Sequence, residues 1–483
     1  MISLLLILLP ILTGGLLLLL KGKSTIWLAF LSALAELGIT IYALLNFDPL
    51  GGFQYVWDYW WIPDLGMAWS FGVDGISMVL LILTNLLIPL IILSQINRKI
   101  ESHHALVGLA LIMQGALIGV FTAMDVTVFY VFWELALIPV YFIAGLWGGQ
   151  DRIKATLKFF IYTLFGSLLM LAAFVFLLGN SHGINQLDGI SGILLSHKAE
   201  IFVFWGIFTA FAIKIPIFPF HSWQPETYTQ SSTTGTMLLS GIMLKMGLYG
   251  IIRWLIPLTP NASEMYSKLV IVLGIIGVLY ASIIAIKQNN IKRLLAFSSM
   301  AHVGLIAIAF FTGTQVGWQG GVFQMFTHGI NVVALFLVAD ILISKTGVTD
   351  IRKMGGIASK APKLAILFLM LVLGSVALPL TDSFVGEFLM LSGLFHWNMW
   401  AMIITGTSVI FSAVYMLRLY QKTMFGVVSE HTKDISDISW NELVVLGICC
   451  GIMLFLGIFP NALMQVSNPV LEQILNNLVG FKN

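Results

Sequence analysis

Long apolar runs separated by short polar segments recur along the whole 483-residue chain. A run of about 20 apolar residues is long enough to cross a lipid bilayer as a helix. The pattern predicts fourteen such spans, at roughly 1–20, 25–47, 76–97, 106–123, 126–147, 155–178, 200–218, 234–256, 267–286, 291–312, 319–344, 362–379, 398–419 and 441–459. We therefore expect an all-α membrane protein.

Prolines interrupt two of these spans. The seventh breaks at Pro216 and Pro219 and continues in a short segment near Phe220–Tyr228, and the twelfth breaks at Pro379 and continues to residue 395. Helix breaks at membrane depth persist only where the backbone faces protein or a wet cavity. Paired interrupted helices are typical of inverted-repeat transporters. We therefore predict two inverted five-helix repeats, spans four to eight and spans nine to thirteen.

The repeats divide the chain into four regions. Residues 1–105 hold the first three spans, 106–256 the first repeat, 257–420 the second repeat, and 421–483 the last span with a short tail. The aromatic segment between spans two and three is expected to be a loop at the bilayer interface, with Trp57, Tyr59, Trp60, Trp61 and Trp69. The residues after Pro460 are predicted to form a short amphipathic helix.

The basic residues predict the orientation of the chain. Alternate loops on one side carry 18 of the 24 Lys and Arg residues, whereas the other side carries only Lys198, Arg253, Lys268 and Lys482. Cytoplasmic loops are enriched in Lys and Arg. The chain is thus predicted to lie in the cell inner membrane with both termini on the non-cytoplasmic side.

Composition and cysteine use narrow the possible functions. With 59% hydrophobic and 10% charged residues and a mean hydropathy of +0.97, the chain is not a soluble globular protein, and a net charge of +2 offers no basic patch for nucleic acid. Its two cysteines are the neighbours Cys449 and Cys450, whereas iron–sulfur ligation needs about four thiolates. Because Walker and Rossmann glycine patterns are also missing, we expect no cofactor in this chain.

Charged residues inside the spans are the first functional candidates, because each is costly in a bilayer. Lys214 lies beside the first break, and Glu134 lies well inside span five in FYVFWELALIPVY. Such a pair can hold or release a proton depending on its separation, and the alternative is a buried structural ion pair. Lys245 lies in span eight, about 12 Å of helical rise from Arg253, which favours a proton relay over a side chain that snorkels to the interface.

Three more titratable residues lie in the second half. His302 in SSMAHVGLIAIAF and His328 in FQMFTHGINVVALF are candidate proton carriers, although a lone intramembrane histidine is more often structural. Glu387 follows the second break and is a candidate equal to Glu134. Capping, pairing or loop hydrogen bonding is the simpler explanation for the remaining polar residues, which are Glu36, Asp125, His221, Glu226 and Asp382.

Several ordered motifs resemble the antiporter-like membrane subunits of respiratory complex I. The motifs are KIPIFPFHSWQPETY, GIMLKMGLYGIIR, FYVFWELALIPVYF, IKRLLAFSSMAHVGLI, QMFTHGINVVALFLVADIL and FVGEF. The likeness runs from span three to span thirteen. Two breaks depart from the family pattern, with Tyr228 where histidine is usual and LPLTDSFVGE in place of a glycine-rich break.

The resemblance implies a proton-pumping module of NADH–quinone oxidoreductase. Glu134 and Lys214 would form the family's charged pair, Lys245 its central lysine, His302 and His328 its connecting relay, and Glu387 its exit residue. FMN, iron–sulfur clusters and quinone would be bound by other subunits, and the antiporter-like subunits L and N would be neighbours. Two alternatives remain: a subunit of a multisubunit Na⁺/H⁺ antiporter, and a structural spacer within a membrane complex.

Overall fold

The computed structural model describes residues 1–22, 24–180, 186–190 and 195–480 of the chain. Lys23 and Lys482, which enter the charge tally, lie outside the described residues. The helices of the first half are α1 Ile2–Leu19, α2 Thr25–Leu45, α3 Gly75–Gln95, α4 His103–Thr122, α5 Val126–Leu135, α6 Leu137–Leu146, α7 Arg152–Asn180, α8 Leu187–Ile190, α9 His197–Lys214, α10 Trp223–Gln230, α11 Thr233–Leu238, α12 Leu244–Gly250 and α13 Ile256–Leu258. Those of the second half are α14 Pro260–Lys287, α15 Ile291–Phe311, α16 Gln315–Thr346, α17 Ile357–Lys360, α18 Pro362–Ser375, α19 Asp382–Trp397, α20 Met399–Met424, α21 Trp440–Ile458 and α22 Asn461–Gly480.

The predicted all-α membrane fold is confirmed. Among the described residues, 12 helices are long and apolar enough to cross a membrane, counting Val126–Leu146 and Thr233–Leu258 as one helix each. Two further predicted spans correspond to α9 and α18, which are the helices that end at the two predicted breaks. The total of fourteen crossings and the inverted repeats stay predictions.

The first break begins earlier than the sequence pattern indicates. Helix α9 ends at Lys214 rather than near residue 218, and α10 starts only at Trp223. Pro216 and Pro219 lack the N–H groups that would extend the helix and disfavour helical geometry in the residues before them. The indole N–H of Trp223 donates to the carbonyl of Ile213 at 2.9 Å, which satisfies one carbonyl at the open helix end.

The second break is held open by unusual backbone and close packing. Helix α18 ends at Ser375, not near residue 379, and Ala377 and Leu380 have φ angles of 55° and 74° before α19 starts. Such left-handed geometry is unfavourable for residues with a Cβ and persists only where the surroundings impose it. On α21, a Cβ built on Gly457 would lie 2.2 Å from the carbonyl oxygen of Leu380. Gly457 therefore allows α21 to pack directly against the break.

The aromatic segment after α2 is a β-hairpin, so its prediction as a loop was wrong. Strands β1 Gln54–Ile62 and β2 Met67–Val73 pair antiparallel across a turn at Gly66, whose φ is 66°. Aromatic and β-branched residues favour strands, and here Trp69 and Phe71 pack on Phe132 of α5. The predicted terminal helix is present as α22, where the carbonyl of Val466 would lie 2.0 Å from a Cβ on Gly75.

Lys245, His302 and His328 lie on helices that are buried along most of their surface, whereas Glu387 lies on α19, which exposes Phe384 and Phe388. The windows of Thr233–Leu258 and of α15 are 100% and 94% buried, whereas those of α7 and α20 are 39% and 33% buried and expose apolar side chains outward. A helix that is apolar around its whole circumference belongs in a protein interior or a membrane. The centre of the molecule is therefore a helix cluster whose few polar side chains cannot reach bulk water directly.

Candidate functional site

Lys245 occupies the centre of the most buried helix. The continuous helix Thr233–Leu258 contains two π-helical segments, Leu239–Met243 and Ile251–Leu255, on either side of Lys245. Such wide turns occur frequently at functional sites. Lys245 is 0% exposed, and its Nζ donates to the carbonyl oxygen of Ser240 at 2.8 Å. The lysine is thus held inside the protein and cannot snorkel.

A chain of titratable side chains continues from Lys245 across three more helices. Its Nζ lies 3.0 Å from Nδ1 of His328 on α16, and the rings of His328 and His302 are 6.0 Å apart between centroids. On α15, Nδ1 of His302 lies 2.9 Å from Oε1 of Glu387 on α19. The structure therefore brings four of the six predicted site residues into one contiguous row.

Both imidazoles line one small cavity. Its volume is about 20 Å³, and its lining includes His302, His328, Gln324, Asn331 and Ser383. A cavity of this kind needs about 10–15 Å³ to accommodate one water molecule and needs polar partners for it. The Nε2 atoms of both histidines are buried and lack a hydrogen-bond partner among the described residues. The volume of the cavity is sufficient for one water molecule.

The remaining two predicted site residues form a separate pair. Lys214 is 1% exposed at the end of α9, and its Nζ lies 4.9 Å from the centroid of the Trp133 ring. Glu134 is the residue after Trp133, and no described carboxylate lies within 4.0 Å of the lysine nitrogen. Glu134 and Lys214 are close enough to influence each other without direct contact.

The row from Lys245 to Glu387 and the Glu134–Lys214 pair are connected by apolar packing and not by a polar contact. A Cβ on Gly247 of α12 would lie 2.6 Å from the side chain of Ile215, the residue after Lys214. No described hydrogen bond joins Lys214 to Lys245. Helix α10, beyond the break, carries Gln224 and Tyr228, which are both 0% exposed. Nε2 and Oε1 of Gln224 and the hydroxyl of Tyr228 have no hydrogen-bond partner among the described residues.

Sequence reasoning misplaced Arg253 and missed its partner. Arg253 was counted among the loop cations, but it lies inside the helix, 3% exposed, in a salt bridge with Asp74 at the start of α3. The helix continues through a π-helical segment to Leu258, which carries Arg253 into the protein. Asp74 also caps α3 by accepting from the Ser77 N–H at 3.0 Å. An aspartate directly before a long apolar span was the available signal.

Of the weaker candidates, Asp125 and Glu226 have partners that explain a structural role, whereas Glu36 has no hydrogen-bond partner among the described residues. Asp125 caps α5 as predicted, accepting from the backbone N–H groups of Thr127 at 2.7 Å and Val128 at 3.3 Å. Glu226 forms an ion pair with Lys158 at 3.0 Å. Glu36 is 0% exposed, and neither carboxylate oxygen has a hydrogen-bond partner among the described residues, so the expected pairing is not found.

The fold and this row of buried side chains define a class of protein. Broken helices beside intramembrane lysine, histidine and carboxylate groups are the features of a membrane protein that translocates protons or ions.

A family model described as NADH:quinone oxidoreductase/Mrp antiporter, TM matches residues 123–412, and the chain belongs to this family. It is 38% identical over 458 residues to NADH-quinone oxidoreductase subunit M of Rickettsia prowazekii, which covers 94% of this chain and 93% of the relative.

Two solved structures share the fold. A chain in respiratory complex I from Thermus thermophilus with bound NADH superposes with a TM-score of 0.92 at 32% identity, covering 99% of this chain and 100% of that chain. A chain in the Mrp complex from Dietzia superposes with a TM-score of 0.89 over 99% of this chain and 97% of that chain, but at only 18% identity. The second likeness concerns the fold alone.

Proposed function

We propose that this chain is the proton-translocating membrane subunit of an NADH–quinone oxidoreductase. Protons cross it through Glu134, Lys214, Lys245, His328, His302 and Glu387, from the cytoplasm to the opposite face. The observation that carries the proposal is the row from Lys245 to Glu387, with distances of 3.0 and 2.9 Å and one cavity of about 20 Å³ that both imidazoles line.

The row has a consistent assignment of protons. A Lys245 ammonium that donates to Nδ1 of His328 requires that this nitrogen be unprotonated, which places the ring proton of neutral His328 on Nε2. Nδ1 of His302 lies 2.9 Å from Oε1 of Glu387, so we assign the ring proton of His302 to Nδ1, which leaves its Nε2 as an acceptor. One water in the cavity then accepts from Nε2–H of His328 and donates to Nε2 of His302. A proton that leaves Lys245 therefore reaches Glu387 by successive short transfers.

The Glu134–Lys214 pair supplies the means of control. When the two groups approach, each stabilises the charged form of the other, and when they separate, burial favours the neutral forms. Because helix α9 ends at Lys214, movement of the break changes this separation directly. NADH oxidation and quinone reduction take place in other subunits, which hold FMN and the iron–sulfur clusters. Antiporter-like subunits L and N are the proposed neighbours in the inner membrane, with both termini of this chain on the non-cytoplasmic face.

An Mrp-type Na⁺/H⁺ antiporter subunit is the second candidate, because the Dietzia Mrp complex contains the same fold. The identity to that chain is 18%, against 32% to the complex I chain and 38% to a subunit M relative. Co-purification separates the two functions. Flavin and iron–sulfur absorbance accompany this chain in the first case and are missing in the second.

The decisive experiment replaces the last carboxylate of the row. Glu387→Gln keeps the shape of the side chain but cannot titrate, so proton pumping in vesicles falls on the order of 100-fold, as expected for loss of a positioned proton-transfer group. Glu387→Lys titrates and retains more pumping. Glu430→Gln, on an exposed loop, is the matched control and pumps normally. Parental pumping by an assembled Glu387→Gln complex would contradict the proposed function of this row.

A further inference from the structure

A second buried acid lies next to the imidazole cavity. Asp382 is 0% exposed at the start of α19, five residues before Glu387. Its Oδ1 accepts from Nδ2 of Asn331 at 3.1 Å and from the backbone N–H of Ser383 at 2.7 Å. Its Oδ2 is buried and has no hydrogen-bond partner among the described residues.

The hydrogen-bond inventory of this cluster indicates a bound proton. Both hydrogens of the Asn331 amide are used, on Asp382 at 3.1 Å and on Ser383 Oγ at 2.9 Å, and its Oδ1 is a second unpartnered buried acceptor. In the described part of the chain, no Lys, Arg or His nitrogen lies within 4.0 Å of the Asp382 carboxylate. A buried carboxylate without a cation is strongly disfavoured, and one proton on Oδ2 turns an unpartnered acceptor into a donor.

The cluster opens onto the same cavity as the two histidines. Asn331 and Ser383 both line the cavity, and Oγ of Ser383 lies 3.4 Å from Oδ1 of Asp382. Across the cavity are His302 and His328. Helix α21, which packs against α19, carries Cys449 and Cys450. Since both thiols are buried and free, they add no charge that would hold the carboxylate ionised.

We propose that Asp382 is an additional proton-binding residue of this half of the chain, which exchanges its proton with the imidazole pair through Ser383 and the cavity water. The carboxyl group first turns about its Cβ–Cγ bond, which brings the protonated oxygen to the Ser383 hydroxyl. The hydroxyl takes up this proton and passes its own proton to the water. The water in turn gives one proton to a histidine Nε2. One proton and one positive charge move from the acid to the imidazole, and the reverse sequence reloads the acid. This proposal rests on the proposed function, because it needs a working imidazole pair.

Asp382 and Glu387 then have different tasks. Glu387 contacts His302 directly at 2.9 Å, whereas Asp382 reaches the imidazoles only through the cavity. The acid therefore keeps a proton in reserve beside the row while Glu387 exchanges with the far side of the membrane. A positioning aspartate that only caps α19 would need neither a proton on Oδ2 nor access to the cavity.

The test combines pumping with infrared spectroscopy of the assembled complex. Asp382→Asn keeps the hydrogen bonds to Oδ1 but cannot carry the proton, and we expect pumping to fall roughly tenfold, less than for Glu387→Gln because the direct route remains. Asp382→Glu restores most of the rate, and exposed Asp434→Asn leaves it unchanged. In redox-triggered difference spectra, a protonated carboxyl C=O band shifts in heavy water, persists in Glu387→Gln and is lost in Asp382→Asn.

The two proposals fail in different ways. If Asp382→Asn pumps at the parental rate at every pH while Glu387→Gln does not, the role of Asp382 is refuted and the main row stands. If Glu387→Gln also pumps normally, the proposed function itself is refuted. Should Asp382→Asn not assemble, the Asp382→Glu complex decides, because a protonated band that does not move on this substitution cannot belong to Asp382.

Discussion

Nζ of Lys245 lies 3.0 Å from Nδ1 of His328, and both side chains are almost completely buried. Two cationic groups at this distance in a membrane interior cannot both hold a proton without a large electrostatic cost. The pair can therefore hold one positive charge, on one side chain or the other.

This relationship predicts that the ability of Lys245 to lose its proton matters more than its charge. Lys245→Arg keeps a permanent cation, because arginine does not deprotonate in proteins, and we expect pumping to fall on the order of 100-fold in an assembled complex. Exposed Lys268→Arg serves as the control. Coupled pumping by Lys245→Arg at more than half the parental rate would rule out a deprotonation step at this position.

The separate Glu134–Lys214 pair predicts loss of coupling when either member is removed. Glu134→Ala and Lys214→Ala leave the complex assembled but lower NADH oxidation and proton pumping together, since a tightly coupled pump stalls. Glu134→Asp retains part of the activity. Glu226→Ala, which removes the half-exposed partner of Lys158 near the same break, is the control that keeps normal rates. Full pumping by assembled Glu134→Ala membranes would exclude a relay role.

The Asp74–Arg253 salt bridge predicts a stability effect that depends on whether one or both charges are removed. Arg253→Met leaves Asp74 buried without its cation and destabilises the fold by about 3–5 kcal/mol, whereas the double variant Asp74→Leu with Arg253→Met recovers much of that loss. Thermal unfolding of the purified complex and the amount assembled on native gels measure both. If the double variant is as unstable as the sum of the single variants, the two side chains are not coupled.

The close packing of Gly457 at the second break predicts that two glycine-to-alanine substitutions in α21 have different effects. Gly457→Ala places a Cβ against the Leu380 carbonyl, and the strain of such overpacking costs about 1–3 kcal/mol and displaces the break. Gly451→Ala on the same helix meets nothing within 4 Å and has no such effect. We expect reduced pumping and assembly in Gly457→Ala alone. Equal behaviour of the two variants would mean that the close contact is unimportant.

The predicted orientation is tested by labelling. Cysteines introduced at Lys353 and at Ser196, both exposed, react with a membrane-impermeant thiol reagent from opposite sides, with the Lys353 site cytoplasmic. The natural cysteines Cys449 and Cys450 are buried and give little background in this chain. Labelling of both sites from one side would show that the predicted topology is wrong between these two positions.

Sequence reasoning located the elements that obey a strong local rule. Prolines placed both breaks, and the cost of a charge in a bilayer singled out Lys214, Lys245 and Glu387 before any distance was known. The contacts that join residues far apart in the chain could not be read in this way. Asn331 lies one helical turn after His328 and shares its face, which was a usable signal, but its contact with Asp382 depends on how α16 and α19 pack.

Local pattern also failed where tertiary packing decided the geometry. The π-helical turns around Lys245 carry Arg253 inside rather than into a loop, and no local sequence rule announces them. The aromatic residues from Trp57 to Trp61 are typical both of a loop at the bilayer interface and of a β-strand. Its pairing with β2 resolved the choice.

Ile215 and Gly247 form an apolar seam between the lysine of the first break and the lysine of the central helix. In the proposed proton path this seam acts as an open switch, because protons can bind or leave on each side of it without crossing it. A proton bound on one side then changes the local electrostatic potential there. The change lasts until water enters the seam or the break moves and connects the two sides. A vesicle that carries the resting complex should accordingly hold its proton gradient, and a polar substitution such as Ile215→Ser should make it leak.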